Sequence, residues 1–554
     1  MKNKWAYGLV AVCGLVLAGC TTGGTTDSSS NDTAASGSSD AEQVFNVVVS
    51  QEMPSADLSL ATDTISFSAL NNVYEGLYRL DADSTPQPAG AAEAAEVSED
   101  GLTYKIKLRE DAKWSNGDPV TAADYVYGWQ RTVKPETASE YAYLYSPVKN
   151  ADAITAGDTD PSELGIKAVG DYELEITLEK ATPYFDYLLA FPSFFPQNQK
   201  VVEENGDQYA ATSDNAVYNG PFVLSGFDGP GTDTEWAYEK NDQYWDTDTV
   251  KLQTINVSVV KESATALNLF QDGQADDVIL TGELAQQMAN DEAFVSQPEA
   301  TTYYFELNQR DEDSPFRNEN LRKAISYAID RDALVTSILG DGSLASTGLV
   351  PEGMTFSPTD NTDFTEAAGT VLAYDEDKAK EYWEKAKEEL GIDSLEFDIL
   401  ASDTDSTKKI IEYVQNALQT TLDGLTVTLS PVPFSVRLDR SNAGDFDMLM
   451  GGWGADYADA SSFTDLFTTG NSYNRGQWSN EEYDALIKSA STTNVNDPEK
   501  RWEDLINAEK LIMNEQGVIP VYQKAEAHLR ATNVKGVVAH AAGAQYDYKW
   551  TSIE

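Results

Sequence analysis

The segment Phe446-Asp447-Met448-Leu449-Met450 is apolar apart from one acid and reads as a strand. Gly451-Gly452 follows and is expected to end it. Glycines there leave room for a second backbone, because no Cβ stands in the way. An extended chain could pair its main chain with such an edge, and that pairing is the same for every sequence. Asp456 lies four residues past Gly452. A carboxylate fixed at that point suits an ammonium group, and a charge-assisted bond of this kind contributes about 1.5–3 kcal/mol. By residue type alone, Asp456 could equally cap a helix or stand exposed beside Asp447 and Asp459.

Other chemistries find little to work with. The 554 residues hold two histidines, His528 and His540, and two cysteines, Cys13 and Cys20. That leaves no His or Cys metal set, no disulfide framework and no thiol nucleophile in the body of the chain. No G-x-S-x-G elbow, H-E-x-x-H helix or Walker loop occurs. Asp403-Thr404-Asp405 and Asp246-Thr247-Asp248 lack the glycine and distal glutamate of a calcium loop, and are read as solvated turns. With 92 acids, chance carboxylate pairs are certain, so they are no sign of glycoside hydrolysis. A formal charge of −54 argues against nucleic acid as a partner, since phosphate binding needs a basic face. No enzyme activity, cofactor or metal is expected; a surface hydrolase is the rival class.

The N-terminus reads as an address. Lys2 and Lys4 precede a short, mostly apolar run from Trp5 to Leu17, which ends Leu17-Ala18-Gly19-Cys20. The run is too short for a membrane span and suits a secretory signal. Its ending resembles a bacterial lipobox, where the signal is cut before the cysteine and the thiol is acylated. Residues 1–19 are read as the signal and Cys20 as the lipidation site; the alternative is an ordinary signal with an incidental cysteine. Residues 20–41, nearly all Thr, Ser, Gly, Asp and Ala, read as a flexible tether.

The elements that must position Asp456 alternate along the body. Val44 to Val49 opens a strand, and 102–109 (LTYKIKLR) and 172–179 (YELEITLE) alternate as half-buried strands do. Thr121 to Asp124 resembles a capping box starting a helix through Trp129. Leu321, Ala324, Ile325, Ala328, Ile329, Val335, Ile338 and Leu339 fall on one helical face. Strand 395–401, helix 407–422 and strand 425–429 form a unit of the kind that builds a covered, mostly parallel sheet. Residues 498–516 read as a helix stopped at Gly517, with a strand at 518–522. The body is α/β or α+β, and its length suggests three or four domain-sized units.

Three stretches resemble the extracytoplasmic solute-binding proteins of ABC peptide importers (family 5), in their oligopeptide-binding, OppA-type branch. They are AEAAEVSEDGLTYKIKLREDAKWSNGDPVTAADYVYG from Ala92, SPFRNENLRKAISYAIDRDA from Ser314 and FDMLMGGWGADYAD from Phe446. Shorter matches are Val73 to Leu77, Asn219 to Phe222 and Asp242 to Asp246, and together they span the body in the family's order. The first two stretches are read as architecture.

The resemblance implies an α/β, two-lobed periplasmic-binding-protein-like fold (class II, cluster C) with an extra third domain. The expected divisions are lobe I at 42–88, 213–302 and 524–554, the extra domain at 89–212, and lobe II at 303–523. It further implies that Asp456, in the W-x-A-D-Y segment, holds a peptide's α-ammonium beside Gly452, Trp453 and Gly454. Thr62, Asp63 and Thr64 match the segment along the other side of the bound main chain; an exposed turn is the other reading. Trp453 is expected to line a side-chain pocket, and Tyr141, Tyr143, Tyr303, Tyr304 and Tyr522 are further possibilities.

One departure stands out. The oligopeptide branch often places basic residues near this strand for the peptide's C-terminal carboxylate, and Met448 to Gly454 carries none. Arg437 and Arg440 are nearest, Arg440 reads as a surface residue, and the C-terminal charge is expected to stay solvated. The implied protein is a monomeric, lipid-anchored receptor on the outer face of a Gram-positive cell membrane, delivering oligopeptides to ABC permease subunits. A peptide-pheromone receptor, or a binder of haem, a nickel chelate or an oligosaccharide on the same fold, are the alternatives.

Overall fold

Eleven strands share one mixed sheet in the computed structural model, which describes residues 42–554; the readings for residues 1–41, Cys20 included, lie outside them. The strands are β1 (Val44–Val49), β2 (Phe222–Ser225), β3 (Glu235–Lys240), β4 (Thr254–Val259), β5 (Asp277–Leu280), β6 (Phe294–Leu307), β7 (Leu344–Ala345), β8 (Leu395–Ser402), β9 (Leu425–Val432), β10 (Met448–Gly454) and β11 (Ile519–Arg530). Their order is β9-β8-β10-β6-β11-β5-β1-β4-β3-β2, with β7 paired to β11 off the path. Parallel pairing is confined to β1 with β4 and β5, and to β8 with β9 and β10. The expected mostly parallel sheet therefore holds only within each flank, and an antiparallel pair joins the flanks.

That pair is β6 and β11. At about 3.3 Å per residue, the 14 residues of β6 reach about 45 Å. The two strands pair from Phe294 with Leu529 to Phe305 with Ile519, with the register shifting between Pro298 and Thr302 and again at Tyr303/Tyr304. Proline has no N–H to give a ladder, so a break beside Pro298 is physically expected. The two ends of the pair enter different cores. Phe305, Leu307, Ile519 and Val521 pack with Leu321, Ile325, Ile399 and Ile410. Ala527 and Leu529 pack with Val48, Val278 and Leu280.

The helices follow the sequence signals, with shifts at their ends. Those used below are α1 (Thr64–Val73), α2 (Ala122–Val133), α3 (Glu319–Tyr327), α4 (Asp405–Thr421), α5 (Phe434–Ala443) and α6 (Pro498–Glu515). The expected box at α2 is present: the Thr121 backbone N–H donates to Asp124 Oδ2 at 2.8 Å. α4 joins β8 to β9, which run parallel from Leu395 opposite Leu425. The apolar face expected over 321–339 is interrupted, because α3 ends at Tyr327 and Asp330 caps a new helical turn. Beside it, Arg322 and Arg331 donate to main-chain carbonyls, among them Gln516 O at 3.1 Å and Pro520 O at 2.7 Å. The motif around them is architectural. A separate four-stranded antiparallel sheet comprises Glu96–Val97, Thr103–Lys107, Glu173–Thr177 and Ile166–Gly170. The strand expected at 518–522 continues to Arg530 as β11.

Candidate functional site

The glycines do not end the strand they sit in. β10 runs through Gly451 and Gly452 to Gly454, because Tyr304, Tyr303, Thr302 and Thr301 of β6 pair with residues 451–454 in turn. On its other side, β10 meets β8 only at Met448 and Leu449. From Met450 onward the far edge has no strand partner among the described residues. An edge in that state presents main-chain groups to whatever lies beside it. Beside it is a cleft of about 180 Å³.

The cleft gathers the residues expected to border the ligand's main chain and its ammonium. Gly452, Trp453, Gly454 and Asp456 line it from β10, and Thr62, Asp63 and Thr64 line it from the start of α1. Asp63 is 7 % exposed, so the exposed-turn reading does not apply to it. It caps α1, its Oδ1 accepting from the Ser66 N–H at 2.8 Å, while its buried Oδ2 has no partner. Burial pushes its pKa up to about 6, against the bonds from Ser66. Trp453 stacks on Tyr141 with ring centres 6.1 Å apart and meets the Tyr473 edge at 4.6 Å. Its indole N–H is buried without an acceptor. Of the candidate tyrosines, Tyr141, Tyr303 and Tyr522 line the cleft. Tyr143 reaches Asp456, and Tyr304 lies in the core against Phe467.

Asp456 is buried where nothing neutralises it. Its backbone N–H donates to Ser462 Oγ at 2.9 Å, which fixes the main chain. Among the described residues its carboxylate accepts only from phenols: Tyr141 on Oδ1 and Tyr143 on Oδ2, each at 3.2 Å. Burial raises its pKa to about 7, and the Tyr143 and Tyr141 hydroxyls recover only part of the shift. A cation entering the cleft would return this group to its charged form.

The charge of opposite sign is one the sequence reading passed over. Arg440 is a surface residue as expected, paired to Asp445 at 2.9 Å. Arg437, three residues earlier on α5, instead lines the cleft, and its Nε has no partner. No carboxylate lies within ion-pair distance of it among the described residues. Desolvation, and repulsion from Arg475, lower its pKa to about 10, so it remains charged at neutral pH. The signal was present: Phe434, Arg437, Leu438 and Ser441 recur at helical spacing on the inward face of α5. Of the two nearest arginines named from the sequence, Arg437 and not Arg440 lines the cleft.

Residues 85–475 match the model of the bacterial extracellular solute-binding proteins, family 5 Middle. The chain belongs to this family. Family 5 members are solute-binding receptors, and this one is 36 % identical over 569 residues to a dipeptide-binding protein of Lactococcus lactis, with all of both chains covered. The structure of Listeria monocytogenes OppA bound to peptide superposes with a TM-score of 0.89 and 44 % identity, covering 93 % of this chain and 99 % of that one. The pheromone receptor PrgZ superposes at 0.89 with 42 % identity, covering 93 % and 100 %. Against the Escherichia coli murein tripeptide-binding protein MppA the TM-score is 0.83, and against an unliganded open form of MppA it is 0.61. Asn442 donates to Glu140 Oε1 at 2.6 Å, and Tyr184 stacks on Tyr457 at 4.3 Å, joining segments far apart in the chain. No helix among the described residues is long and apolar enough to cross a membrane.

Proposed function

We propose that this chain is an oligopeptide receptor of an ABC importer that grips what all short peptides share. The peptide lies extended against the free edge of Gly451 to Gly454, with its α-ammonium on Asp456. Gly452, Trp453 and Gly454 border it on one side and Thr62, Asp63 and Thr64 on the other. The observation that carries the reading is Asp456 itself: a buried carboxylate with two phenols and no cation, at the end of an unpaired strand edge. Arg437 lies in the same cleft with the charge that suits a carboxylate. No chemistry is done on the ligand; the receptor hands it to permease subunits. Cys20 and the tether carry the receptor on the outer face of the membrane as a lipoprotein.

The lobes divide at β6 and β11. Lobe I is 42–88, 213–302 and 524–554, lobe II is 303–523, and 89–212 is the extra domain. The division is supported by the register shift beside Pro298 and by the separate cores at the two ends of the strand pair. Closure is a hinge motion that a ligand selects by touching both lobes.

Native mass spectrometry of the protein as purified tests the ligand class. A heterogeneous ladder of co-bound peptides is expected. One discrete peptide mass would favour a signalling receptor, a reading supported by the 42 % identity to PrgZ. A single non-peptide mass would overturn the peptide reading altogether.

A further inference from the structure

The turn that carries Asp456 has few anchors of its own. Residues 455–460 read Ala-Asp-Tyr-Ala-Asp-Ala, so only Asp456, Tyr457 and Asp459 have side chains that can tie it to the rest of the fold. Ahead of Asp456 the main chain is pinned. The Ala455 N–H donates to Ala300 O at 2.8 Å, and Ala455 O accepts from the Gly543 N–H at 2.6 Å. Beyond it the chain enters the short helix Ser461–Thr464, whose Ser462 Oγ accepts from the Asp456 N–H. A bond within one turn fixes the shape of the turn and not its place in the molecule.

On this side the place is set by two residues from elsewhere. Arg501, on α6, lays its guanidinium along Asp459, Nη1 donating to Oδ2 at 2.8 Å and Nη2 to Oδ1 at 2.7 Å. Two parallel bonds of this kind fix direction as well as distance. Asp459 Oδ1 also accepts from the Ser461 N–H at 2.9 Å, so the pair grips the start of the helix that holds the Asp456 N–H. Across the turn, the Tyr457 ring lies flat on Tyr184, with the planes 4° apart. A second buried acid, Asp465, is in no ion pair among the described residues, and its carboxyl stays raised to about 7 by burial. The fork is committed to Asp459. Burial pushes the Asp459 carboxyl up, and Arg501 more than reverses the push. The pKa of Asp456, by contrast, is set by burial and its two phenols, so Arg501 acts on where Asp456 stands and not on its charge.

We infer that Arg501 is a positioning residue for amine recognition: through its fork on Asp459 it holds the 456–462 turn where the Asp456 carboxylate meets the peptide's α-ammonium. The inference rests on the proposed anchoring at Asp456. Arg501 does not line the cleft, so its effect on the ligand passes through the turn. A binding group serves only while its supporting contacts keep it within a fraction of an ångström of its partner. Loosening the turn should therefore cost the ammonium contact and leave the main-chain grip of β10 in place, because that strand is held by its own ladder with β6.

Calorimetric titration of the full chain with tetra-alanine and its N-acetyl form tests this, in the parent, in Arg501→Lys and in Arg501→Met/Asp459→Asn. Lysine keeps the charge and loses the planar fork. The double variant removes both charges, so no buried ion is left unpaired. The parent should prefer the free amine. The double variant should lose about tenfold in affinity for the free amine, Arg501→Lys should lose less, and both should bind the acetylated peptide as the parent does. In an Asp456→Asn background neither change should alter affinity further, since no carboxylate is left to place. Arg501→Lys, the milder change, carries the test should the double variant not fold. Equal loss for the two peptides would mean that the pair only holds the fold together, and would overturn the positioning role. A full amine preference retained in the folded variants would overturn it as well, and leave the anchoring at Asp456 standing. A parent with no preference for the free amine would overturn both.

Discussion

Asp277 and Asp456 are both buried carboxylates at strands of the main sheet, and their surroundings are opposite. Asp277, on β5, has His528 Nδ1 at 2.6 Å and accepts from Arg530 Nε at 2.5 Å. Burial pushes its pKa up, but His528 and Arg530 more than reverse the push and hold it below the ordinary range. Asp277 and Glu526 carry the His528 imidazolium up to about 9, against its own burial. Asp456 has two phenols and stays near 7. The arginines divide in the same way. Arg79, 4 % exposed, makes two bonds to Asp547, at 2.7 and 3.0 Å, whereas Arg437 meets no carboxylate. Charges matched inside the chain hold its parts together. Asp456 and Arg437, each without a partner of opposite charge among the described residues, both line the cleft, where an occupant carrying both signs would complete them. A buried charge without a partner is costly, and binding relieves that cost.

The largest effect should come from breaking a matched pair. Asp547→Ala leaves the buried Arg79 guanidinium with only Glu75, at 3.5 Å, as a carboxylate partner among the described residues and should destabilise the fold by about 3 kcal/mol, read as a fall in the thermal unfolding midpoint. Peptide affinity, measured where the variant is still folded, should not change. An unaltered midpoint would remove the distinction between the two kinds of charge. Asp456→Asn should do the reverse. Stability should stay within about 1 kcal/mol of the parent, while affinity for free-amine peptides falls by about 2–5 kcal/mol. N-acetylated peptides should bind parent and variant alike; equal loss for both would refute the ammonium role.

The pH dependence has a definite sign. In the empty protein the Asp456 carboxyl is raised to about 7, so the stability its neutral form contributes is present in acid and lost as pH rises through 7. Binding runs the other way, because the ligand's ammonium needs the carboxylate. Affinity should therefore fall about tenfold per unit below pH 7. It should fall again above about 8, as the peptide's α-amino group loses its proton. Asp456→Asn should flatten both limbs, because the ammonium then has no carboxylate to meet.

Much of the scaffold could be read from residue pattern. Alternation marked 102–109 and 172–179, and the capping box and the 395–429 unit were legible because local hydrogen bonding and burial dictate them. Gly451 and Gly452 misled, since glycine signals a strand end only where no neighbour holds the ladder, and here β6 does. The length of β11 was hidden because Lys524, Glu526 and His528 look like surface residues. In the fold Glu526 and His528 are buried and Lys524 half-buried, in a chain of pairs, Lys524 to Glu299 at 3.0 Å and His528 to Asp277 at 2.6 Å. Asp456 was legible through its surrounding motif, not through its type. The phenols that set its chemistry, Tyr141 and Tyr143, lie more than 300 positions away in the chain, and no local pattern links them to it. Arg437 was legible in the periodicity of α5 and was obscured by Arg440 on the outer face.

Arg437 gives a smaller effect than Asp456, because it is half-buried and meets the end of the ligand that varies with peptide length. Arg437→Met should leave stability unchanged or slightly higher. It should weaken peptides with a free C-terminus by about 1.5–3 kcal/mol and spare their amides. Equal loss for acid and amide would mean that the guanidinium packs against the ligand without meeting its charge.

The smallest effect concerns the edge itself. A Cβ at Gly452 would lie 3.0 Å from the Tyr303 ring, whereas one at Gly451 would meet Tyr304 at an ordinary 3.7 Å. Tyr303 in turn stacks on Tyr522 at 4.9 Å, so the crowding cannot be relieved by a simple tilt of one ring. Gly452→Ala should weaken every peptide by about 1 kcal/mol, whatever its ends carry, while Gly451→Ala should be close to neutral. Uniformity is what matters here: main-chain pairing is common to all peptides, so a loss confined to one sequence would show that side chains, and not the strand edge, carry the grip.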